Sequence, residues 1–401
     1  MTPLEALQAL AVRNQRRIVL LVLDGVGDLP TGPGGKTPLE AARTPHLDQM
    51  AAEGAVGLQD PVHPGITPGS GPGHLGLFGY DPLEWEVGRG VLETLGIGFE
   101  LTAQDLAGRG NFCTVDAQGR ITDRRAGRIS TEVCVALCRD LERIEVEGAE
   151  LFVRPVREHR FAVVFRGPGL DGRLADTDPQ REGTQPLPVQ PLAAEAARSA
   201  KVVQAFIDRA AELLRGRHPA NMLTIRGFDR YHPLPTFGQL YQLTAAAIAV
   251  YPMYRGVARL AGMEVLDCGS TLEDEFGALE RAWDRFDFFF LHVKKTDAAG
   301  EDGNFELKAE VLEQVDALIP RLLALRPDAV AVTGDHSTPC ALRSHSWHPV
   351  PLLLWGETVR RDQASSFGES ACAGGGLGRL RAKEILALLL AHAQKLKKFG
   401  A

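Results

Sequence analysis

The chain has 401 residues, of which 44% are hydrophobic and 24% are charged, and its formal net charge is −7. This length is sufficient for one large α/β domain or for two domains with a sizeable core. The negative charge balance argues against a protein that binds nucleic acids or anionic membranes through bulk electrostatics.

The N-terminal segment, residues 1–17, predicts a short amphipathic helix. It contains Glu5 and lacks a long apolar core, so it does not resemble a signal peptide. No stretch of the chain approaches roughly 20 uncharged apolar residues, which excludes a transmembrane span. The six scattered cysteines form no CxxC pair, which argues against a thiolate zinc site or a disulfide framework. We therefore expect reduced thiols in a cytoplasmic protein.

Four apolar runs predict the strands of a central sheet. Residues 18–23 (IVLLVL) are all apolar without alternation, which is typical of a strand buried on both faces. Similar runs occur at 286–293, 329–332 and 350–356. Residues 37–52 predict a turn and a helix, and apolar positions at helical spacing follow the second run. This alternation of strand and helix predicts a mainly parallel sheet.

The middle of the chain has a different pattern and predicts an inserted domain. We expect this α+β domain at 110–225, with the core domain formed by 1–109 and 226–401. The expected elements of the insert are shorter strands within 111–130 and 151–167, a helix over 130–144, a loop over 167–192 and a long helix over 193–215.

Acidic residues and histidines follow the predicted strands of the core. In an open parallel sheet, ligands bind beyond the carboxyl ends of the strands. Carboxylates gathered there would repel one another unless divalent cations balanced them, and carboxylate with histidine suits Mn²⁺ or Zn²⁺ better than Mg²⁺. The candidate residues are Asp24, Asp297 with Glu301, Asp335 with His336, and His345, which precedes the last strand.

Each of these residues also has an ordinary structural interpretation. An Asp after a strand commonly caps a helix or forms a turn. Two acids four residues apart, such as Asp297 and Glu301, commonly lie on a solvated helix face. The joint occurrence of all of them at one predicted sheet edge favours a metal site.

A single serine, Ser70, lies among six glycines in the segment 65–82, GITPGSGPGHLGLFGYDP. Glycine allows the backbone angles and the close approach that a tight turn around a reactive hydroxyl requires. A serine hydroxyl is a weak nucleophile until its proton is withdrawn, and metal coordination can do this without a nearby base. The segment therefore predicts a nucleophilic serine beside the metal site.

Five motifs occur in the order found in the alkaline phosphatase superfamily: VLDGVGD, PGSGPGHLGLFGYDP, HVKKTDAAGEDGN, TGDHSTP and SHSWHPVP. More narrowly, these motifs with DRRAGRI, EHRFAVVFRG and HPVPLLLWG resemble the archaeal-type 2,3-bisphosphoglycerate-independent phosphoglycerate mutases. The resemblance covers nearly the whole chain. It implies an α/β fold with an alkaline-phosphatase-like core, in which helices flank a mainly parallel central sheet, and a smaller inserted α+β domain.

The resemblance implies a site for two divalent metal ions, Mn²⁺ or Zn²⁺, with Mg²⁺ as a further option. One ion would be held by Asp24, Ser70, Asp335 and His336. The other would be held by Asp297, the residue four positions further on, and His345. That middle residue is a histidine in the family and Glu301 in this chain. A carboxylate can ligate the same ions, with an altered metal preference, and the adjacent Asp302 could substitute for it or compete with it.

The resemblance also implies a reaction, the interconversion of 3-phosphoglycerate and 2-phosphoglycerate in glycolysis and gluconeogenesis. Phosphate would move to Ser70, and the retained glycerate would take it back on its other hydroxyl. By resemblance, Asp123 and Arg124 bind glycerate, and Asp123 carries the hydroxyl proton. Further arginines from similar segments are Arg128, Arg89, Arg226 and Arg255. The implied partner is a small-molecule substrate, with no nucleic acid or membrane, and homo-oligomerisation stays open.

Three other functions stay open at this point. The same serine and metals would serve a phosphomonoesterase or phosphodiesterase that uses water as the acceptor. They would also serve a mutase for another small phosphorylated alcohol. A non-enzymatic protein with a decayed site is the third alternative, because Glu301 departs from the family pattern.

Overall fold

The computed structural model describes residues 2–400. The strands of this part of the chain, numbered in chain order, are β1 (Ile18–Leu23), β2 (Ala55–Asp60), β3 (Asp105–Val115), β4 (Ile121–Asp123), β5 (Glu150–Arg157), β6 (Arg160–Arg166), β7 (Met222–Arg230), β8 (Ala245–Ile248), β9 (Glu264–Val265), β10 (Phe288–Val293), β11 (Ala329–Thr333), β12 (Val350–Trp355) and β13 (Gly378–Arg381).

The α-helices are numbered in the same way. They are α1 (Pro3–Leu10), α2 (Pro38–Ala41), α3 (Pro45–Glu53), α4 (Ser70–Leu77), α5 (Arg89–Gly96), α6 (Thr131–Leu141), α7 (Ala197–Leu214), α8 (Phe237–Tyr241), α9 (Pro252–Leu260), α10 (Leu272–Ala282), α11 (Lys295–Asp302), α12 (Phe305–Asp316), α13 (Ile319–Ala324), α14 (Glu369–Ala373) and α15 (Ala382–His392). Short 3₁₀ turns lie at Pro33–Gly35, Ala126–Arg128 and Ala194–Ala196.

The chain forms two compact units. The first combines the segment up to Glu86 with the segment from Pro235 onward, and the second is Val87–Leu234. The second unit extends beyond the expected 110–225 at both ends. It does so because β3 starts before that range and β7 ends after it, while α5 packs against both strands.

The first unit is built on an eight-stranded sheet in the order β13-β2-β12-β11-β1-β10-β8-β9. The pairs formed by β1 with β10 and with β11 are parallel, as are β10 with β8, β8 with β9 and β13 with β2. All six residues of β1 are buried. One face of β1 packs in a cluster with residues of α3, α10 and α12. The expected mainly parallel α/β architecture is confirmed.

Strand β12 runs antiparallel to both of its neighbours, β11 and β2. No helix intervenes between β11 and β12, and a parallel connection would require a crossover of a dozen or more residues, usually helical. The reversal places the beginning of β12 at the edge where the parallel strands β11, β1 and β10 end. His345, which precedes β12, therefore reaches the same edge as Asp24 and Asp335.

Strands β2 and β8 are among the strands of this sheet that were not predicted from the sequence. Their sequences are AVGLQD and AAAI. Glycine and alanine are depleted in strands, and each segment has only one β-branched residue and no aromatic residue, so the composition that marks a strand is missing. Each pairs with a mainly apolar strand, β2 with β12 and β8 with β10, and all four residues of β8 are buried.

The second unit contains an antiparallel sheet with helices, as expected for an α+β domain. Strand β3 pairs along most of its length with β6 on one side and β7 on the other, and β5 pairs with β6. The short strand β4 pairs with the last residues of β3. Helices α6 and α7 contribute to one hydrophobic cluster with this sheet.

In the described part of the chain, no helix has both the length and the apolar character that crossing a bilayer requires.

A fully buried ion pair joins α12 to the loops that follow β1 and β11. Lys308 Nζ lies 2.8 Å from Asp28 Oδ2 and donates to the Thr338 carbonyl at 2.9 Å, and both charged side chains are inaccessible. The backbone N–H of Cys340 donates to both oxygens of the Asp28 carboxylate. Each charge is thus neutralised and hydrogen-bonded, as a buried pair requires.

Removing one partner of this pair should destabilise the protein strongly. We expect Lys308→Met to lower the free energy of unfolding by about 3–5 kcal/mol, because Asp28 would keep a buried charge without its counter-ion. Urea unfolding would measure the change. The matched control is Arg285→Met, which breaks the exposed pair with Glu264 and should change the free energy by less than about 1 kcal/mol. Equal effects of the two substitutions would contradict this interpretation.

A second buried carboxyl, Glu369 on α14, receives hydrogen bonds from the backbone N–H of Asp28 at 3.0 Å and from Thr37 Oγ1 at 2.6 Å. Burial outweighs these bonds and raises the pKa of Glu369 from its ordinary 4.5 to about 7. The carboxyl therefore takes up a proton more readily in the folded chain than in the unfolded chain.

This shift predicts a specific dependence of stability on pH. The stabilisation from protonated Glu369 is complete below about pH 4.5 and is lost as the pH rises to about 7. The free energy of unfolding of the wild type, relative to that of Glu369→Gln, should therefore fall by about 3 kcal/mol between pH 4.5 and pH 8. Urea unfolding of both proteins across this range is the measurement, and parallel pH profiles would contradict the assignment.

Candidate metal centre

The three central parallel strands of the first unit each deliver ligand-bearing residues to one edge. Asp24 directly follows β1, and Asp335 with His336 follow β11 after Gly334. Asp297 lies in the first turn of α11, which begins two residues after β10. Because β11, β1 and β10 are adjacent and parallel, their carboxyl ends meet at this edge.

Asp24, Asp335 and His336 form the first group of candidate ligands. One ligand atom from each lies within 4.8 Å of the others, and all three residues are buried. His336 Nε2 is 3.4 Å from Asp24 Oδ1, 3.2 Å from Asp335 Oδ2 and 3.3 Å from Ser70 Oγ. The structure therefore brings the predicted serine and the three predicted ligands together.

Asp297, His336 and His345 form the second group. Their ligand atoms also lie within 4.8 Å of one another, and His345 is partly exposed. The rings of His336 and His345 are stacked, with centroids 3.6 Å apart. His345 is held from its other side, where Nδ1 lies 3.0 Å from the carbonyl oxygen of Pro68, two residues before Ser70. His336 belongs to both groups, so the two groups adjoin.

In the first group, burial and nearby positive charges have opposite effects on the pKa of Asp24. Burial alone would raise the pKa of Asp24, but Lys294, His292 and His336 outweigh it and hold this pKa well below its ordinary value. Lys294 Nζ and His292 Nε2 each lie 3.2 Å from Asp24 Oδ2. Lys294 is also paired with Asp297, a member of the second group. Asp24 therefore stays a carboxylate inside the protein.

The pKa of Asp335 is also set by opposing effects. Burial and the neighbouring Asp24 raise its pKa, but His336 and His74 outweigh them and leave it below the ordinary value. Burial also lowers the pKa of His336 despite these two carboxylates, so the neutral imidazole is favoured. Two carboxylates and a neutral imidazole are the forms that bind a metal ion.

The residues of the first group fit a divalent cation. Among residues 2–400, no donor makes a well-aligned hydrogen bond to either oxygen of Asp24 or to Oδ2 of Asp335, although these atoms are buried. A buried carboxylate oxygen without a hydrogen bond is costly, and a metal ion would satisfy it. Carboxylates combined with imidazole suit first-row divalent ions. These residues could hold a divalent metal ion at this edge of the sheet.

Ser70 is the first residue of α4, and the position of this helix depends on Gly73. A Cβ at Gly73 would lie 2.2 Å from the Asp335 carbonyl oxygen, so only glycine allows α4 to approach the end of β11 this closely. His74 Nδ1 lies 2.8 Å from the Ser70 carbonyl oxygen and 3.2 Å from Asp335 Oδ2. The close approach fixes Ser70 beside the first group.

Glu301 does not join either group of ligand atoms. It lies one helical turn after Asp297 on α11, as its spacing predicts, and its side chain is exposed. Partial burial of the carboxyl and the charge of Asp297 raise the pKa of Glu301, which indicates that the two carboxyls are near each other. Glu301 is therefore placed at the margin of the second group.

Three residues at the site, His292, Lys294 and Thr338, were not predicted from the sequence. His292 is a buried histidine in the otherwise apolar strand β10, and its ring stacks on Tyr254 with centroids 3.8 Å apart. A single polar residue in such a strand is the signal that could have found it. Lys294 directly follows β10, and its sequence does not distinguish it from an ordinary surface lysine. Thr338 lies in the TGDHSTP motif, but the motif alone does not indicate a role for its side chain.

Five of the six predicted substrate-binding residues lie in the second unit. Arg124 forms a bidentate salt bridge with Asp178, in which Nε lies 3.2 Å from Oδ1 and Nη2 lies 2.7 Å from Oδ2. Arg226 Nη1 lies 3.7 Å from Oδ2 of the same carboxylate. The second unit therefore brings two of the predicted arginines together around Asp178. Their guanidinium groups are half-buried and oriented by this shared partner.

The other predicted binding residues are more dispersed. Asp123 accepts hydrogen bonds from the N–H groups of Arg125 and Gly127, so it shapes the turn after β4. Arg89 begins α5 and pairs with Glu93, and Arg128 is exposed. Arg255 lies on α9 in the first unit, where its buried Nε has no hydrogen-bond partner among the described residues.

Comparison with known proteins shows similarity over almost the full length. Residues 51–221 match the family described as 2,3-bisphosphoglycerate-independent phosphoglycerate mutase. Over 394 residues, the chain is 50% identical to a probable 2,3-bisphosphoglycerate-independent phosphoglycerate mutase of Thermotoga neapolitana, with 98% of each chain covered. A relative of the same description from Thermus thermophilus is 50% identical over 400 residues, again with 98% of each covered.

Two solved structures share the fold. A protein from Pyrococcus horikoshii is 32% identical with a TM-score of 0.84, and the match covers 97% of this chain and 100% of that one. A cofactor-independent phosphoglycerate mutase from Thermoplasma acidophilum is 31% identical with a TM-score of 0.71, covering 94% of this chain and 100% of that one. The similarity therefore extends through both units.

Metal titration can test whether Glu301 contributes to the binding of a metal ion at the second group. We expect Glu301→Ala to weaken the binding of one metal ion, so that dialysed protein retains about one equivalent of Mn²⁺ where the wild type retains about two, because an ion at the second group would lose a neighbouring carboxylate. Elemental analysis and calorimetric titration without substrate are the measurements. Asp302→Ala, which removes the adjacent exposed acid on α11, is the matched control. Two full equivalents in Glu301→Ala would show that Glu301 is not a ligand.

Proposed function

The chain belongs to the 2,3-bisphosphoglycerate-independent phosphoglycerate mutase family, and we propose that it interconverts 3-phosphoglycerate and 2-phosphoglycerate through a phosphoserine on Ser70. The main support for this proposal is the position of Ser70 Oγ, 3.3 Å from His336 Nε2, which itself lies beside carboxylate oxygens of Asp24 and Asp335 that lack a well-aligned hydrogen bond. The reaction requires no 2,3-bisphosphoglycerate, because the protein's own serine carries the phosphoryl group between the two positions.

The two ligand groups are proposed to hold two divalent ions, Mn²⁺ or Zn²⁺. When bound, these ions supply positive charge that favours ionisation of the neighbouring serine hydroxyl and balances the charge of the transferring phosphoryl group. The proposed ligands are Asp24, Ser70, Asp335 and His336 for one ion and Asp297, Glu301 and His345 for the other.

The protein's own residues position the reacting atoms. In the first half-reaction, the Ser70 oxygen bonds to phosphorus as the bond between phosphorus and the 3-oxygen of glycerate breaks. The serine proton ends on that departing oxygen, and the second half-reaction reverses these changes at the 2-oxygen. The fixed first turn of α4 holds Ser70 Oγ in place, so the attack requires little reorganisation.

Residues of the second unit are proposed to recognise the acidic substrate. The guanidinium fork of arginine suits the geometry of carboxylate and phosphate groups. Asp178 orients Arg124 and Arg226, which supports a role for this pair in binding the acidic groups. Asp123 is proposed to exchange the proton with the glycerate hydroxyls, with Arg89, Arg128 and Arg255 as further binding residues.

We propose that the protein acts in the cytoplasm. All six cysteines are buried free thiols, including Cys134 and Cys138, whose sulfur atoms are 3.9 Å apart. Free thiols are typical of a reducing compartment, which supports this location.

The activity can be tested directly. Metal-loaded protein incubated with 3-phosphoglycerate, without 2,3-bisphosphoglycerate, should form 2-phosphoglycerate with little free phosphate. Release of phosphate without the isomer would instead indicate a hydrolase. Formation of neither product would overturn the assigned substrate and favour another phosphorylated alcohol or a non-enzymatic protein.

The nucleophile can be tested by substitution. Ser70→Ala should lower mutase activity by about a thousandfold or more, because no other group can carry the phosphoryl intermediate. Circular dichroism should show an unchanged fold, and mass spectrometry should detect a phosphoryl group at Ser70 in the wild type alone. The exposed Ser366→Ala is the control and should keep full activity. Substantial turnover by Ser70→Ala would refute the phosphoserine.

A further inference from the structure

Thr338, in the loop after β11, lies between the two ligand groups. Its Oγ1 is 2.6 Å from Asp297 Oδ1, in the second group, and 3.0 Å from Nδ1 of His336, which belongs to both groups. The side chain is fully buried. One hydroxyl therefore contacts ligands from both groups.

The directions of these two hydrogen bonds follow from the atoms involved. A carboxylate only accepts, so the single proton of the Thr338 hydroxyl is donated to Asp297. The hydroxyl oxygen must then accept from His336, which requires the proton of that imidazole to reside on Nδ1. The lone pair of His336 is thereby placed on Nε2, the atom that faces Asp24, Asp335 and Ser70.

The backbone of Thr338 is held in place independently of its side chain. Its N–H donates to the Gly27 carbonyl at 3.0 Å, and its carbonyl accepts from the buried Lys308. A Cβ at Gly25, where φ is +63°, would lie 2.5 Å from Thr338 Oγ1. Glycine at that position therefore leaves the space that the hydroxyl occupies.

We propose that Thr338 is a positioning residue that couples the two metal sites. Its hydroxyl fixes the tautomer of His336 for the first site and the orientation of the Asp297 carboxylate for the second. Groups behind the ligands commonly set ligand tautomer and orientation in this way. The inference rests on metal binding as proposed above, but it does not depend on which phosphorylated substrate the protein uses.

The coupling can be tested by comparing Thr338→Val, which keeps the shape and removes the hydroxyl, with Thr338→Ser, which keeps the hydroxyl. Mn²⁺ is titrated calorimetrically into each metal-free protein in the absence of substrate. We expect Thr338→Val to weaken both binding steps by about 10- to 100-fold and Thr338→Ser to stay within about threefold of the wild type. Unchanged affinities in Thr338→Val, or weakening of one step alone, would overturn the coupling.

A second measurement on the wild type covers the case in which Thr338→Val does not fold. A long-range ¹H–¹⁵N spectrum of the metal-free protein, with His336 identified by loss of its signals in His336→Gln, should show the proton on Nδ1. A proton on Nε2 would overturn the proposal. A wild type that binds no Mn²⁺ would instead contradict the proposed function, so the two failures are distinguishable.

Discussion

The structure depends on the balance of charge at one edge of a buried sheet. Asp24 and Asp335 arrive there on adjacent strands, and burial alone would drive both towards the protonated form. Lys294 with the neighbouring imidazoles lowers the pKa of Asp24, and His336 with His74 lowers that of Asp335, so both stay carboxylates. The described residues nevertheless leave three of the four carboxylate oxygens without a well-aligned hydrogen bond. The fold thus holds two buried carboxylates close together, where divalent cations could balance their charge. Ser70 lies beside them.

The reversed strand β12 completes this arrangement. In a wholly parallel sheet, the residues before a strand lie at the opposite edge from the residues after its neighbour. Because β12 runs antiparallel to β11, His345 returns to the edge at which β11 has just ended. The loop that joins the two strands therefore supplies candidate ligands from both of its ends, His336 and His345, whose rings stack on each other.

Much of the core and of the candidate site could be predicted because the signals are local. The strands β1, β10 and β11 are uninterrupted apolar runs, and acidic residues follow each one within a few positions. The weak strands β2 and β8 could not be found, since only their neighbours make them strands. Thr338 could not be found either, because its role arises from contact with Asp297, 41 residues away in sequence. The extent of the second unit was missed because the pairing of β3 with β7 joins segments about 120 residues apart.

The contact between Gly73 and the end of β11 leaves no room for a methyl group. The helix that carries Ser70 is therefore in direct backbone contact with the segment that follows β11, and this contact sets the distance between Ser70 and Asp335. Most of the arginines proposed to bind the substrate lie in the second unit, so differences in substrate choice would arise mainly from residues of that unit. The division of the chain into two units would let evolution retune substrate choice while the transfer chemistry is inherited intact.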